Sequence, residues 1–248
     1  MVTLGPYIKL LHGYSPEHLT VGDGYTEYEY QGRKIKSPPD GTGSFFEVFH
    51  EHVYDQWVTP VKGDVVFDVG AYVGMWSVRA AVAVGEKGRV FAVEPSPENQ
   101  RWLNDNVTGL PVTVLPYLAS NRSGTETLYM AKQGSCNSTV LKNGQAVEME
   151  CHNIDWIAWK YQIDAVDFIK IDAEGAELKV LEGAWRILRR GTKLAIASYH
   201  DLPDGTPEYP QIVKFLARLG YEIETESGLR RYIYARKERV GKGHQFDE

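Results

Sequence analysis

The sequence predicts an α/β fold around a mainly parallel, seven-stranded sheet, and two observations support this prediction. From about Gly63 onward, short runs of apolar and β-branched residues alternate with segments of helical periodicity. Such alternation is typical of parallel strands that are joined by right-handed helical crossovers, with helices on both faces of the sheet. The last two predicted strands follow each other without room for a helix, which predicts one antiparallel edge strand.

The first half of the sheet is expected to contain three strands. The first is DVVFDVG at residues 64–70, an apolar run bounded by turn residues, and a helix through MWSVRAAVAV follows it. The second strand covers residues 89–95 and precedes the helix SPENQRWLNDNV. In that helix Ser96 is a suitable N-cap and Pro97 is suited to the first helical position. The third strand is expected at residues 111–120.

The second half is expected to contain the other four strands. An inserted hairpin at about residues 125–152 and a short helix come first. VDFIKID then forms the fourth strand and leads into the helix AELKVLEGAWRILRR, which Gly191 is well placed to end. TKLAIASYH forms the fifth strand, and the helix EYPQIVKFLARLG follows it. YEIETE and LRRYIYARK then predict a closing antiparallel hairpin.

The N-terminal sixty residues differ from the rest of the chain. They are rich in Tyr, Gly and Pro, which indicates short strands and turns, and SFFEVFHEHVYDQW predicts an amphipathic helix that leads into the first core strand. This segment is too small and irregular to form a core of its own. We therefore expect a cap or lid at residues 1–60, a main domain at 61–240 and a C-terminal tail at 241–248.

Charge and cysteine content narrow the classes of function. The net charge of −6 argues against a broad phosphate-binding surface, so a nucleic-acid partner is not expected. Cys136 and Cys151 form neither a CxxC pair nor a disulfide framework, which favours a cytoplasmic location. The first twenty residues carry no signal-peptide pattern, and no run approaches the ~20 apolar residues of a membrane span.

The end of the first predicted strand indicates a ligand site. Ligands of open α/β sheets bind beyond the carboxyl ends of the strands, and the first strand-to-helix turn is the usual contact. Here that turn contains Asp68, Gly70 and Gly74, without the central glycine that admits a pyrophosphate in the GxGxxG pattern. An acid at the strand end suits an ammonium group rather than a phosphate. A nicotinamide oxidoreductase is therefore the weakest alternative.

The second predicted strand ends in a carboxylate that completes this pattern. Glu94 follows Gly74 by about twenty residues, at the position where a carboxylate accepts hydrogen bonds from both hydroxyls of a ribose. A ribose and a cationic amino acid without a diphosphate are the parts of S-adenosylmethionine, so we expect this cofactor. The alternative is that Gly70 and Gly74 only shape a turn and that Glu94 is a solvated strand end.

With both segments in view, the sequence resembles the FkbM family of S-adenosylmethionine-dependent methyltransferases. The resemblance extends from about Phe45 to Ala197 and implies a Rossmann-like class I methyltransferase fold. It also implies an O-methyltransferase, because most family members methylate hydroxyls of sugars, glycolipids, polyketides and related natural products. The matching segments are FDVGAYVG (67–74), VEPSPENQRWLNDNV (93–107), LASNRSG (118–124), Asp155 within IDW, and DFIKIDAEGAELKVLEGA (167–184).

The resemblance assigns roles to individual residues. It implies that Asp68, Gly70 and Gly74 contact the methionine part of the cofactor and that Glu94 holds the ribose. Ser96 and the turn at residues 119–121 would border the adenine. The expected cofactor-binding residues are Asp68, Gly70, Ala71, Gly74, Glu94, Pro95, Ser96, Ser120, Asn121 and Asp172.

Three carboxylates follow the fourth predicted strand, and they have different expected roles. Methyl transfer to a hydroxyl needs alignment and a group that takes the proton. Asp172 is expected beside the methyl group, and His200, at the end of the fifth strand, is the candidate general base. Glu174 is expected either to bind the acceptor or to shape the loop. Glu177 is expected only to begin a helix, where the macrodipole stabilises an acid by ~0.3–1 kcal/mol.

Two side chains near this segment are also noteworthy. Lys170 lies inside the fourth strand, which is unusual for a buried position, and it is expected either to neutralise an acid or to border the cofactor. Tyr54 belongs to the predicted cap and is a candidate for closing over the cofactor. Aromatic residues at helical spacing, however, more often pack in a core.

Alternatives stay open for the metal, the reaction and the partner. Asp172, His200 and Asp201 form an alternative ligand set for Mg²⁺, which would lower the pKa of the acceptor, although a metal is not the favoured interpretation. An N- or RNA-directed methyltransferase and a non-catalytic cofactor-binding module are the alternatives to an O-methyltransferase. The expected partner is a small-molecule or glycan hydroxyl acceptor. Its identity and the oligomeric state do not follow from the sequence.

Overall fold

The structure, a computed structural model, describes residues 19–131, 134–140, 142, 144–202, 204–226 and 231–238. The first 18 residues of the predicted cap and the predicted tail at 241–248 lie outside these ranges. Across the described part of the chain the strands form three sheets, and one of them has seven strands. In the same part, no helix combines the length and the apolar character that crossing a membrane requires.

The N-terminal segment forms a small antiparallel sheet followed by one short helical stretch. Its strands are β1 (Leu19–Val21), β2 (Thr26–Tyr30) and β3 (Arg33–Ser37). The helical stretch contains a 3₁₀ turn at Pro39–Gly41, the α-helix α1 (Thr42–Phe45) and a π-helical turn at Phe46–His50.

The amphipathic helix predicted at residues 44–57 is therefore wrong in extent. It ends at His50, and His52 then adopts a left-handed backbone conformation with φ of 55°. This turn places Val53 and Tyr54 in the interior, where both are at least 95% buried. Burial of these two apolar side chains overrides the helical pattern, because tertiary packing is stronger than local propensity.

The strands and helices of the main domain follow the predicted alternation. The strands are β4 (Val65–Val69), β5 (Arg89–Val93), β6 (Val112–Leu115), β7 (Leu118–Ala119), β8 (Gly124–Met130), β9 (Gln145–His152), β10 (Phe168–Ile171), β11 (Lys193–Ala197), β12 (Glu222–Glu226) and β13 (Tyr232–Arg236). The helices are α2 (Met75–Val84), α3 (Pro97–Asn106), α4 (Ile154–Lys160), α5 (Glu177–Glu182), α6 (Trp185–Leu188) and α7 (Tyr209–Arg218).

The central sheet has the strand order β12-β13-β11-β10-β4-β5-β6. Strands β11, β10, β4, β5 and β6 pair in parallel, whereas β13 pairs antiparallel with both of its neighbours. The predicted mainly parallel seven-stranded sheet is confirmed. The antiparallel strand lies one place in from the edge, because the closing hairpin inserts β13 between β11 and β12.

Two predicted elements are interrupted, each for a local reason. The third predicted strand is two strands, because Pro116 has no N–H to continue a ladder, and β7 then pairs with β9 in the third sheet. The predicted helix after the fourth strand is divided into α5 and α6 at Gly183. A Cβ at Gly183 would lie 2.2 Å from the backbone oxygen of Ser120, so the chain approaches that turn too closely for a side chain. Asp155 accepts hydrogen bonds from the first N–H groups of α6, at Arg186 and Ile187.

The apolar core lies on both faces of the central sheet. One cluster contains residues of α4 to α7, and the other contains residues of α2 together with the N-terminal segment. Tyr28, Ile35 and Phe45 of the N-terminal segment pack in the same cluster as Val66 of β4 and Ala81 of α2. The N-terminal segment is therefore held by the same core that supports the first strand of the main domain.

A buried ion pair connects the two central strands of the sheet. Lys170 of β10 lies beside Asp68 of β4 in the parallel register, and their charged atoms are 3.1 Å apart. Both side chains are almost fully buried, at 4% and 0% exposure. Ser77 Oγ donates to the second oxygen of Asp68, at 2.6 Å, and Lys170 Nζ also donates to the carbonyl of Gly70, at 2.8 Å. The pair thus has hydrogen bonds that compensate for part of its desolvation cost.

Replacing the lysine of this pair should be strongly destabilising. Lys170→Met keeps most of the volume but leaves Asp68 as an uncompensated buried charge, so we expect a loss of about 3–5 kcal/mol in the free energy of unfolding. The matched control is Lys193→Met, which removes the more exposed ion pair with Asp64 and should cost about 1 kcal/mol or less. Urea denaturation followed by circular dichroism measures both. Equal losses in the two variants would contradict this account.

Candidate active site

A cavity of about 350 Å³ lies at the carboxyl ends of the central strands. The turn after β4, the end of β5, the turn after β10 and the segment after β11 form its walls, together with residues of the N-terminal segment. This is the edge where ligands of open α/β sheets bind. Among the residues predicted from the sequence, those that line the cavity are Gly70, Glu94, Pro95, Ala119, Asp172, Glu174 and His200.

Gly70 brings the turn after β4 into contact with the turn after β10. Its φ is 73°, and a Cβ at this position would lie 1.8 Å from the backbone oxygen of Asp172. Its N–H donates to the carbonyl of Val93 at 3.0 Å, and its own carbonyl accepts from Lys170. A side chain does not fit between these partners, so glycine is required here for close approach as well as for conformation.

Glu94 is buried in the cavity wall and is surrounded by hydrogen-bond donors. Its Oε2 accepts from the N–H of Tyr72 at 2.9 Å, and its Oε1 accepts from the N–H of Ser96 at 2.9 Å and from Asn99 Nδ2 at 3.1 Å. Only 5% of the residue is exposed. Burial raises the pKa of Glu94 to about 7, although these hydrogen bonds oppose the shift. The carboxylate is therefore fixed in orientation and titrates near neutral pH.

The acid–histidine cluster consists of Asp172 and Glu174, which follow β10, and His200, which follows β11. In the sheet, β10 and β11 lie on the other side of β4 from β5 and Glu94. Each of the three side chains offers a nitrogen or oxygen atom, and these atoms all lie within 4.8 Å of one another. His200 Nε2 is 3.4 Å from Glu174 Oε2, and Tyr54 OH donates to Asp172 Oδ2 at 2.7 Å. Asp172 Oδ1 is buried and has no hydrogen-bond partner. The cluster therefore has one unused acceptor atom, on a residue that lines the cavity.

Glu177 is fully buried and contacts both His200 and the turn that carries Glu174. Its carboxylate accepts from the N–H groups of Ala173 and Gly175, at 2.9 and 3.0 Å, and its Oε1 lies 3.0 Å from His200 Nδ1. Burial alone would raise the pKa of Glu177, but the hydrogen bonds from His200 and Glu208 outweigh it and lower the pKa to about 2. Glu177 is thus an ionised partner of the histidine, a role that goes beyond the helix start expected for it.

The charge of His200 follows from its two carboxylate neighbours. Burial alone would lower the pKa of His200, but the hydrogen bonds with Glu174 and Glu177 outweigh it and raise the pKa to about 11. Nearby, burial and the hydrogen bond with Glu177 raise the pKa of Glu208 to about 9. A protonated imidazole donates rather than accepts, so these surroundings do not favour His200 as a general base. That role for His200 stays a prediction.

Several predicted cofactor residues lie outside the cavity lining. Asp68 is fully buried behind the turn and pairs with Lys170. Gly74 lies against α3, where a Cβ would be 2.5 Å from Leu103 Cδ1. Ala71 donates its N–H to the carbonyl of Val93. The structure gives each of these three residues a role in packing or in the turn, and their contact with a cofactor stays a prediction.

The predicted adenine-side residues are also set back from the cavity. The N-cap function of Ser96 is observed, with its Oγ accepting from the N–H of Asn99. Ser120 is fully buried, and Asn121 is exposed and donates to Glu182 at 2.9 Å. Ala119 of the same predicted turn does line the cavity, and so does its neighbour Leu118. Asp201 of the alternative metal set is exposed and outside the acid–histidine cluster, and it forms an isolated backbone bridge with Pro207.

The structure adds Tyr72 and Tyr199, which the sequence did not single out, and gives Tyr54 and Glu177 contacts that the sequence did not predict. Tyr72 and Tyr199 line the cavity, and Tyr72 has a positive φ of 52° that aims its N–H at Glu94. Tyr54 holds Asp172, and Glu177 holds His200. A signal for Glu177 exists in the sequence: it follows Gly175 closely in a turn after a buried strand, where a carboxylate can accept free backbone N–H groups.

Comparison with known proteins identifies a family for most of this domain. A model of the methyltransferase FkbM domain matches residues 68–223. The hexuronic acid methyltransferase AglP of Haloferax volcanii is 27% identical over 130 residues, which make up 52% of this chain and 53% of that protein. The chain thus matches about half the length of AglP. The methyltransferase sdnD of Sordaria araneosa is 26% identical, with 71% of this chain and 80% of that protein covered.

Solved structures show a likeness of fold. Fibrillarin from Aeropyrum pernix, determined with natively bound S-adenosyl-L-methionine, superposes with a TM-score of 0.50 and covers 87% of this chain and 84% of its own. The two sequences are 17% identical, so this likeness shows the fold alone. The Rossmann-like arrangement expected from the sequence is confirmed.

A side chain at Gly70 should disturb the contact between the two turns. The Cβ that Gly70→Ala adds would clash with the carbonyl of Asp172, and the backbone φ at this position is also unfavourable for alanine. Gly85 has a similar φ of 65°, but nothing lies within 4 Å of the Cβ that Gly85→Ala adds. We expect Gly70→Ala to lose roughly 1–3 kcal/mol more unfolding free energy than Gly85→Ala, the cost of overpacking. Chemical denaturation measures the difference. If the two variants are equally stable, the close approach is not a constraint.

Proposed function

The chain belongs to the methyltransferase FkbM family, and we propose that it methylates a hydroxyl oxygen of a sugar or another small natural product, with S-adenosylmethionine as the methyl donor. One observation carries this proposal. A single cavity places the buried carboxylate of Glu94 at the end of β5 and the acid–histidine cluster at the ends of β10 and β11. The carboxylate of Glu94 suits hydrogen bonding to a ribose, and the acid–histidine cluster suits contact with a reacting hydroxyl.

The residues of the cavity fit the proposed cofactor. Three donors orient the carboxylate of Glu94, two at Oε1 and one at Oε2. Because a carboxylate has about four acceptor sites, Oε2 can accept one further hydrogen bond, from a ribose hydroxyl. Val93, Leu118 and Ala119 offer an apolar surface beside it, suited to an adenine ring. When bound, the cofactor supplies an electrophilic methyl group on a positively charged sulfur.

The chain's own residues then align the acceptor and take its proton. Tyr54 holds one oxygen of Asp172, so the buried Oδ1 is available to accept a hydrogen bond from the acceptor hydroxyl. As the acceptor oxygen forms its bond to the methyl carbon, its proton passes to a carboxylate of the cluster, either Asp172 or Glu174. The carboxylates also stabilise positive charge at this end of the cavity, and Glu177 keeps His200 in place behind them.

The charges of the cavity favour an uncharged acceptor. Its lining includes Asp40 and Glu47 of the N-terminal segment as well as the cluster, and no lysine or arginine is found among the described lining residues. AglP is a hexuronic acid methyltransferase, which supports a sugar as the acceptor class. An acidic sugar or an RNA phosphate would meet like charges here, so we propose a neutral sugar or a similar hydroxylated molecule.

The cellular setting belongs to the same proposal. Cys136 and Cys151 form neither a CxxC pair nor a disulfide framework in the sequence. This pattern favours a reducing compartment, so we propose that the reaction takes place in the cytoplasm.

Binding of the cofactor product should depend on the ionisation of Glu94. Ribose hydroxyls donate to the carboxylate, so binding favours the ionised form, and affinity should fall as the pH drops through the raised pKa of about 7. We expect S-adenosylhomocysteine to bind about tenfold more weakly at pH 6 than at pH 8, measured by isothermal titration calorimetry.

Two substitutions test the assignment of this pH dependence. Glu94→Gln should bind weakly and lose the dependence, because no carboxylate remains at the ribose position. The matched control Glu98→Gln changes an exposed acid in the first turn of α3 and should behave like the wild type. A pH step that persists in Glu94→Gln would assign the titration to another group.

Methyl transfer itself should give an ether. With methyl-labelled S-adenosylmethionine and a panel of sugars, we expect label in a neutral sugar and in a product that resists mild base. Asp172→Asn should lower turnover by about 10²-fold or more while leaving binding of S-adenosylhomocysteine largely unchanged, because Asp172 acts on the acceptor. Label recovered only as a base-labile methyl ester of an acidic sugar would contradict the proposed acceptor class.

A further inference from the structure

Three side chains from two neighbouring strand ends converge on one point of the cavity. Asp172 and Glu174 follow β10, and His200 follows β11. Their nitrogen and oxygen atoms all lie within 4.8 Å of one another. In an octahedral site with bonds of ~2.1 Å, neighbouring ligand atoms are ~3.0 Å apart and opposite ones ~4.2 Å apart. The 3.4 Å between His200 Nε2 and Glu174 Oε2 is close to the first of these distances.

Each of the three side chains is held so that one ligand atom stays available. Tyr54 occupies Oδ2 of Asp172, which leaves the buried Oδ1 without a partner. Glu177 occupies Nδ1 of His200, which leaves Nε2 beside Glu174 Oε2, and an ion bound between them would take the place of the proton on Nε2. A histidine that binds a metal nearly always donates its other N–H to a carboxylate or carbonyl in this way. Glu177 is in turn fixed by the backbone N–H groups of Ala173 and Gly175.

The side chains around the cluster are mostly acidic, which favours binding of a cation. Three carboxylates surround His200, from Asp172, Glu174 and Glu177, and Glu208 lies behind them. Tyr199 borders the same wall of the cavity but is uncharged. His200 offsets one of these negative charges, and no lysine or arginine is found among the described residues that line the cavity. Buried charges are normally paired or bind metals, so a divalent ion would complete the site.

We propose that Asp172, Glu174 and His200 bind a divalent cation of the Mg²⁺ or Mn²⁺ type, which holds the acceptor hydroxyl. Two carboxylate oxygens and one imidazole nitrogen are a mixed ligand set that suits Mn²⁺ well and Mg²⁺ acceptably. This ligand set differs from the one considered from the sequence, because Glu174 replaces the exposed Asp201. The inference rests on the proposed function and deepens it, since it states how the hydroxyl is activated.

The ion would lower the pKa of a coordinated hydroxyl by withdrawing electron density from its oxygen. In the transfer step the O–H bond breaks, and the proton goes to the uncoordinated oxygen of Glu174. A bond forms between the acceptor oxygen and the methyl carbon, the bond between sulfur and that carbon breaks, and its electron pair stays on sulfur. No oxidant or reductant is required.

Direct binding of Mn²⁺ to the metal-free protein tests this inference. Electron paramagnetic resonance measures free Mn²⁺ during titration of the chelator-treated, dialysed full chain. The wild type should bind one Mn²⁺, and Glu174→Gln and Asp172→Asn should bind it at least about tenfold more weakly. Asp201→Asn is the matched control, because it removes the acid next to His200 that lies outside the cluster, and it should bind like the wild type. Circular dichroism checks that each variant is folded.

The outcomes separate this inference from the proposed function. S-adenosylhomocysteine should raise the melting temperature of the metal-free wild type, and this measurement tests cofactor binding alone. If it does so but no Mn²⁺ binds, or if Glu174→Gln binds Mn²⁺ as tightly as Asp201→Asn, the metal site is refuted and the methyltransferase proposal stands. If S-adenosylhomocysteine has no effect at saturating concentration, the proposed function itself fails. Full methyl transfer by metal-free protein in chelator would also overturn the activating role of the ion.

Discussion

The buried ion pair between Asp68 and Lys170 determines how the two halves of the site meet. Two charges withdrawn from water are costly, and their geometry must be well fixed to compensate. Here the pair crosses from β4 to β10, and Lys170 also donates to the carbonyl of Gly70. The turn after β4 is therefore held against β10 at Lys170, which lies two residues before Asp172. Any shift of one strand along the other would break the pair, so the turn after β4 and the acid–histidine cluster keep a fixed relation.

The acid–histidine cluster concentrates like charges, and the backbone supplies part of what makes this tolerable. Glu177 receives two N–H groups from the turn that carries Glu174, so its negative charge is stabilised without a lysine. Glu174 itself has a positive φ of 51°, an unfavourable conformation for a residue other than glycine. Strain and a concentration of acidic groups occur together at this turn. Such local conflicts cost stability and are typical of sites whose arrangement serves binding or chemistry.

Much of the fold follows from the sequence, because apolar runs and helical periodicity distinguish strands from helices without reference to the rest of the chain. The breaks at Pro116 and Gly183 did not follow, since each depends on what the chain meets in three dimensions. In the site, the strand ends predicted the places of Glu94, Asp172 and His200. The direction in which a side chain points was harder to predict. Asp68 faces Lys170 and not the cavity, and the sequence pattern does not determine which neighbour a buried acid contacts.

The N-terminal segment cannot act as a lid that is independent of the catalytic groups, because its last turn is built into the site. Tyr234 of the antiparallel strand β13 donates to the carbonyl of Val53, and Tyr232 packs edge-on against Tyr54 at 5.5 Å. Tyr54 donates to Asp172, and its ring lies 5.2 Å from the charged nitrogen of Lys170. Insertion of β13 beside β11 thus positions Tyr54, and Tyr54 positions the free oxygen of Asp172. The N-terminal segment is therefore coupled to the acid–histidine cluster through one tyrosine hydroxyl.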